Sequence, residues 1–132
     1  ELCRGGTLRR ELRRTDVPLM PAAHRLAVAQ QVATALCHLH YHGLIHRDVK
    51  SNNVLLMEPC DGQMLPWAKL ADVGLACLTT MSVNPVEDGT FYWHAPEMRT
   101  ERQGPEVDVY AFGTLLFELA MLRAPFPHET AA

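Results

Sequence analysis

HRDVKSNN occupies His46–Asn53. A histidine, an arginine, an aspartate and a lysine fall within five residues, with an asparagine three further on, in a chain that is 48% hydrophobic. A solvated loop explains the polarity but not the order. Working outward, Val54–Met57 (NVLLM with Asn53) and Ala68–Asp72 (AKLAD) read as two short strands, joined by a loop that contains Asp61-Gly62. The second strand runs directly into Asp72-Val73-Gly74. Residues 76 to 90 lack periodicity and are rich in Thr, Ser, Asn and Pro, which predicts a long loop. GTFYWHAPE follows at Gly89–Glu97, and DVYAFG opens an apolar run at Asp108.

The helices are predicted by spacing. Between Ala22 and His42, Leu26, Ala29, Val32, Ala33, Leu36 and Leu39 recur at three- and four-residue steps and form one apolar stripe, with Gly43 ending the helix at C′. Upstream, GGTLRRELRR gives a turn and a short basic helix, broken by the two prolines of DVPLMP. Val107–Leu122 is apolar nearly all round yet carries Asp108 and Glu118, so it is taken as a helix buried at the centre of a domain.

Composition narrows the classes. The 132 residues are enough for one domain with a true core. A net charge of -3 gives no basic field for nucleic acid, and no apolar run is long enough for a membrane segment. Cys3, Cys37, Cys60 and Cys77 are widely spaced without a CxxC pair, which implies reduced, buried thiols and an intracellular, cytoplasmic setting. His38 and His42 stand i,i+4 on the long helix, a zinc-compatible spacing. No glutamate follows the first of them as HExxH requires, so packing or capping is the stronger reading.

Taken singly, Asp48 reads as a turn residue and Asp72 as a strand end. Taken together with the two later motifs, in this order, the chain resembles the protein kinase family, specifically its large C-terminal lobe. The resemblance covers essentially all of residues 1–132 as a partial kinase domain, from the end of the hinge to just past the central helix. It implies an α+β fold, mainly helical, with a short β-hairpin and with the N-terminal lobe absent. Neither a GxGxxG loop nor a VAIK-type lysine occurs in these residues.

The resemblance also implies roles. Asp48 corresponds to the catalytic base, and Lys50 to a cation that approaches the γ-phosphate of ATP. Asn53 and Asp72 correspond to the Mg2+ ligands, hard oxygens for a hard cation. Leu55 corresponds to the apolar residue under the adenine, and the backbones of Glu1 and Cys3 to the hinge groups at its edge. Asp108 corresponds to the aspartate that holds the catalytic loop, with His46 and Arg47 as supporting residues. Lys50, two residues after Asp48, is similar to the Ser/Thr kinases, as is Thr90. Trp93 and the KSNN run resemble the tyrosine-kinase-like group of Ser/Thr kinases. The implied partner is a protein substrate with a Ser/Thr acceptor. Thr79, Thr80 and Ser82 are the candidate hydroxyls for a regulatory phosphate that pairs with Arg47.

Two departures stand out. Val73 takes the place of the phenylalanine in the family's DFG, and the loop EPCDGQMLPW is longer than the family's usual connection. Two functions of different class follow: a segment of an active Ser/Thr kinase, or a non-catalytic pseudokinase or scaffold. The retention of Asp48, Asn53 and Asp72 together favours the first. The isolated 132-residue polypeptide is expected to be inactive and to leave apolar surface uncovered, including parts of the 107–122 helix.

Overall fold

The computed structural model describes residues 2–16, 18–58, 64–78, 94–99, 103–123 and 125. Strand β1 (Gly6–Thr7) leads into helix α1 (Leu8–Leu12), then α2 (Ala22–Tyr41), β2 (Leu44–Ile45), β3 (Val54–Leu56), β4 (Ala68–Leu70), β5 (Cys77–Leu78) and α3 (Glu106–Met121). Short 3-10 turns stand at Ser51–Asn53, Val73–Leu75 and Pro96–Arg99. The α+β expectation holds, and so does the hairpin: β3 and β4 pair antiparallel with Val54 opposite Leu70. β1 joins β3 on its other edge, Gly6 opposite Leu56. That edge needs glycine at Gly5, where a Cβ would collide with the Glu58 carbonyl while the Gly5 N–H bonds the Leu56 carbonyl at 3.0 Å.

Local chemistry starts and stops the helices as expected. The Thr7 hydroxyl accepts the Arg10 N–H at 3.2 Å, an N-cap for α1. α2 ends where Gly43 takes φ 71 and donates to the His40 carbonyl at 3.0 Å. The imidazole Nδ1 of His42 stands 2.8 Å from the His38 carbonyl at the same end, which gives this histidine a capping role.

Three expectations need correction. Leu26 is not part of the buried stripe of α2: it is 60% exposed, and the buried positions are His24, Val28, Ala29, Val32 and Leu36. At about 100° per residue Leu26 stands roughly 120° round the helix from Val32, and Cys37 roughly 140°. Cys37 is therefore exposed rather than buried, while Cys3 and Cys77 are half-buried, and all three thiols are free. Third, α3 is buried along one side only. Val107, Asp108, Ala111, Leu115, Glu118 and Leu119 face inward, and Val109, Tyr110, Leu116 and Phe117 are exposed, as the expectation of uncovered apolar surface on this helix required.

Two cores position the 46–53 segment. In the larger, Leu8 of α1, Val28 and Val32 of α2, Val54 and Leu56 of β3 and Leu115 of α3 surround Val49. In the smaller, Ile45, Ala95, Met98 and Val107 pack together. Each fully buried aliphatic side chain contributes about 1.5–3 kcal/mol, so the segment sits on a surface that resists displacement. The pairing of β2 with β5, Ile45 opposite Cys77, adds a strand inside the stretch expected to be loop. Residues 79–93, with Thr79, Thr80, Ser82 and Thr90, lie outside the described residues, as does Glu1.

Candidate functional site

Helix α3 holds the 46–53 segment at two points. Asp108, fully buried in its first turn, accepts the His46 N–H on Oδ2 and the Arg47 N–H on Oδ1, both at 2.8 Å. His40 of α2 places Nε2 2.8 Å from the same Oδ2. Glu118, near the other end of the helix and 2% exposed, accepts the Ser51 hydroxyl at 2.8 Å and the Ser51 N–H at 3.3 Å, with Arg9 3.6 Å away. Ten residues at 1.5 Å each separate the two carboxylates by about 15 Å along the axis. A buried carboxylate is costly unless its lone pairs are taken up. Here the donors come from the segment that must be held.

Between these anchors the backbone is forced into shape. Arg47 adopts φ 69, a left-handed conformation that costs a non-glycine residue about 1–2 kcal/mol. Its amide is the one that Asp108 holds, and its guanidinium Nε bonds Gln103 at 2.8 Å, with Nη1 3.4 Å from the Leu75 carbonyl. His46 accepts the Asp48 N–H on Nδ1 at 3.3 Å and stands 3.1 Å from the Ala71 carbonyl through Nε2, so Nε2 carries the proton. That bond ties the segment to the end of β4, beside Asp72.

The acidic centre follows. Lys50 Nζ stands 2.8 Å from Asp48 Oδ2, and the Asn53 amide donates to that oxygen at 2.7 Å and to the Asp48 carbonyl at 2.9 Å. Burial pushes the Asp48 carboxyl up. It is outweighed by polar neighbours and the Lys50 charge, which hold it down to about 2. Lys50 and Asn53 bear directly on the carboxylate. His94 stands 3.9 Å from Oδ1, beyond hydrogen-bond reach.

Asp72 stands beside this cluster rather than in it. The Ala71 N–H bonds the Asn53 carbonyl at 2.8 Å, which brings the end of β4 against the start of β3. Asp72 then turns at φ 62, is exposed, and accepts the Gly74 N–H at 3.4 Å on Oδ1. The Asn53 nitrogen is committed to Asp48, so the amide oxygen is the atom with which Asn53 could ligate a cation. Among the described residues no three His, Cys, Asp or Glu side chains converge as a metal site. Asn53 and Asp72 thus offer two protein oxygens, a set that fits Mg2+, which keeps waters and takes its remaining ligands from phosphates.

The remaining expected positions lie on the adjoining sheet. Leu55 is half-buried in β3, opposite Thr7 and Lys69. Cys3 precedes β1, its carbonyl accepting the Gly6 N–H at 3.4 Å and its thiol 3.6 Å from the Met57 sulfur. Val73 is 59% exposed and lines, with His46, Leu39, Leu70 and Trp67, an open groove of about 560 Å³ between α2 and β4. Sequence reasoning missed Ser51, Glu118, Gln103, His40 and His94. A signal existed for Glu118: a charge inside an otherwise apolar helix needs a buried partner.

The protein kinase domain profile matches residues 1–132. A serine/threonine-protein kinase of Mycosarcoma maydis, SMU1, is 37% identical over 98% of this chain and 16% of its own length. The serine/threonine/tyrosine-protein kinase HT1 of Arabidopsis thaliana is 37% identical over 95% of the chain and 31% of its own length. The LysM domain receptor-like kinase 10 of Oryza sativa subsp. japonica is 39% identical over 90% of the chain and 20% of its own length. The chain thus spans less than a third of each of these relatives, and the names of HT1 and the receptor-like kinase are compatible with the tyrosine-kinase-like resemblance. With the profile spanning every residue, and with the motifs gathered round one buried segment, the chain belongs to the protein kinase family.

Proposed function

We propose that the full-length protein is a serine/threonine kinase that moves the γ-phosphoryl group of ATP to a protein hydroxyl, and that this chain supplies its acceptor side. The observation that carries the reading is the Asp48 carboxylate, kept charged by Lys50 and Asn53 at one oxygen. In this reading Asp48 orients the acceptor hydroxyl. The hydroxyl proton passes to Asp48, its oxygen forms the new bond to phosphorus, and the bridging P–O bond breaks to leave ADP. A carboxyl at about 2 is a weak base in the ground state. It suits a loose transition state, where the hydroxyl becomes acidic late and positioning is most of the catalysis.

Asn53 and Asp72 would hold Mg2+, which would neutralise charge on the phosphates. Lys50 would bring its charge to the same place, and Cys3 and Leu55 would border the adenine. The partner is a Ser/Thr-bearing protein. Free thiols support an intracellular, cytoplasmic setting.

The test is Asp48→Asn in the full-length protein. Phosphoryl transfer should fall about 10²–10⁴-fold in protein that remains folded, and the wild-type products should be phosphoserine and phosphothreonine. Equal transfer by Asp48→Asn would remove Asp48 from its role, and mainly phosphotyrosine would overturn the acceptor class.

A further inference from the structure

His94 belongs to GTFYWHAPE and is far from the 46–53 segment in sequence, yet its ring enters the same site. Its side chain is 9% exposed, and Nε2 is buried without a hydrogen-bond partner among the described residues. A buried polar atom left unsatisfied is costly, and a missing ligand is one of the things that such an atom can mark. The nearest acidic oxygen is Asp48 Oδ1 at 3.9 Å. Among the described residues that oxygen has no hydrogen-bond donor: Lys50 and Asn53 both bond Oδ2.

The gap has a chemical meaning. At 3.9 Å the two atoms do not bond each other. One oxygen placed about 2.8 Å from both, with the two bonds opening at roughly 90°, fits the gap. The spacing is not an accident of a loose side chain. Ala95, directly after His94, and Met98, three residues further on, are buried against Ile45 and Val107, the cluster that also abuts the start of the 46–53 segment. Asp48 is fixed from the other side by Asn53.

We propose that His94 is a positioning residue for the acceptor: the hydroxyl of the incoming protein side chain bridges Asp48 Oδ1 and His94 Nε2. The hydroxyl donates its hydrogen to Oδ1 and accepts Nε2–H on one lone pair, which leaves the second lone pair to form the bond to phosphorus. The imidazole keeps its proton throughout. Asp48 receives the hydroxyl proton, and the electron pair of the broken P–O bond leaves with ADP. This assignment rests on the kinase reading above and adds to it a second group on the acceptor.

The experiment compares wild type, His94→Leu, His94→Gln and Asp48→Asn in the full-length protein. Two quantities are read: kcat/KM for a serine/threonine peptide acceptor, and KM for MgATP. His94→Leu should lower kcat/KM for the peptide about tenfold, the worth of one hydrogen bond in the transition state, with KM for MgATP unchanged. His94→Gln, which keeps an N–H donor, should recover most of the loss. Wild-type transfer by His94→Leu overturns the proposal. So does a loss that His94→Gln shares in full or that also raises KM for MgATP, since packing alone then explains it. If His94→Leu does not fold, His94→Gln with weakened transfer and intact folding overturns it as well. Full transfer by Asp48→Asn would instead sink the kinase reading of the site, and this assignment with it.

Discussion

Asp108 accepts the backbone N–H of Arg47 at 2.8 Å, and Arg47 is held at φ 69. The buried carboxylate on α3 thereby stabilises a backbone conformation that the arginine disfavours, immediately before Asp48. The strain at Arg47 and the anchor at Asp108 form one device that aims the neighbouring aspartate.

Removing the anchor tests this. Asp108→Ala leaves the His46 and Arg47 amides buried without an acceptor and should cost about 3 kcal/mol or more of stability. Asp108→Asn retains one acceptor oxygen and should cost less. Urea unfolding of both variants measures the difference, and equal losses would show that the two amides find other partners.

Glu118 and Ser51 form the second anchor. Ser51→Ala removes the hydroxyl bond but keeps the amide bond, and should cost about 1–2 kcal/mol. Glu118→Ala removes both acceptors and leaves Ser51 buried and unpaired, for about 3 kcal/mol. The double variant should cost little more than Glu118→Ala alone, because both changes delete one interaction. Simple additivity in a double-mutant cycle would mean that the pair is not coupled.

The pH response of Asp48 has a definite sign. Its folded value of about 2 lies below the ordinary 3.8. The unfolded chain therefore holds the proton more tightly. The stability that the charged carboxylate contributes is complete above about pH 4 and is lost as pH falls through about 2. The stability gap between wild type and Asp48→Asn should shrink over that window and stay flat from about pH 5 to 7. A gap that changes near neutrality would point to a different titrating group.

The polypeptide of residues 1–132 alone is expected to transfer no phosphate and to self-associate. Tyr41, Trp67, Val109, Tyr110 and Phe117 are all exposed, at 87%, 72%, 62%, 45% and 39%. Apolar exposure of this kind promotes association. Light scattering and a phosphate-transfer assay on the purified polypeptide are the checks. A monodisperse, active preparation would show that these surfaces need no cover.

The sequence by itself determined the elements whose cause is local. The α2 span ends at Gly43 because a left-handed C′ position selects glycine. The β3–β4 hairpin and the α3 run were legible from short apolar stretches and their punctuation. The order of HRDVKSNN, DVG and GTFYWHAPE carried the family. The tertiary structure decided what lies far apart along the chain. Leu26 fits a three-to-four repeat as well as Val28 does, and only the packing of α2 chooses the face. The two-residue strands β2 and β5 have no period to read, and exist because Ile45 meets Cys77. Asp108 meets His46, Glu118 meets Ser51, and His94 approaches Asp48 across separations of tens of residues. No local propensity encodes such meetings. They follow when the apolar sides of α2 and α3 are buried together and the few charges on the inner side of α3 must find donors.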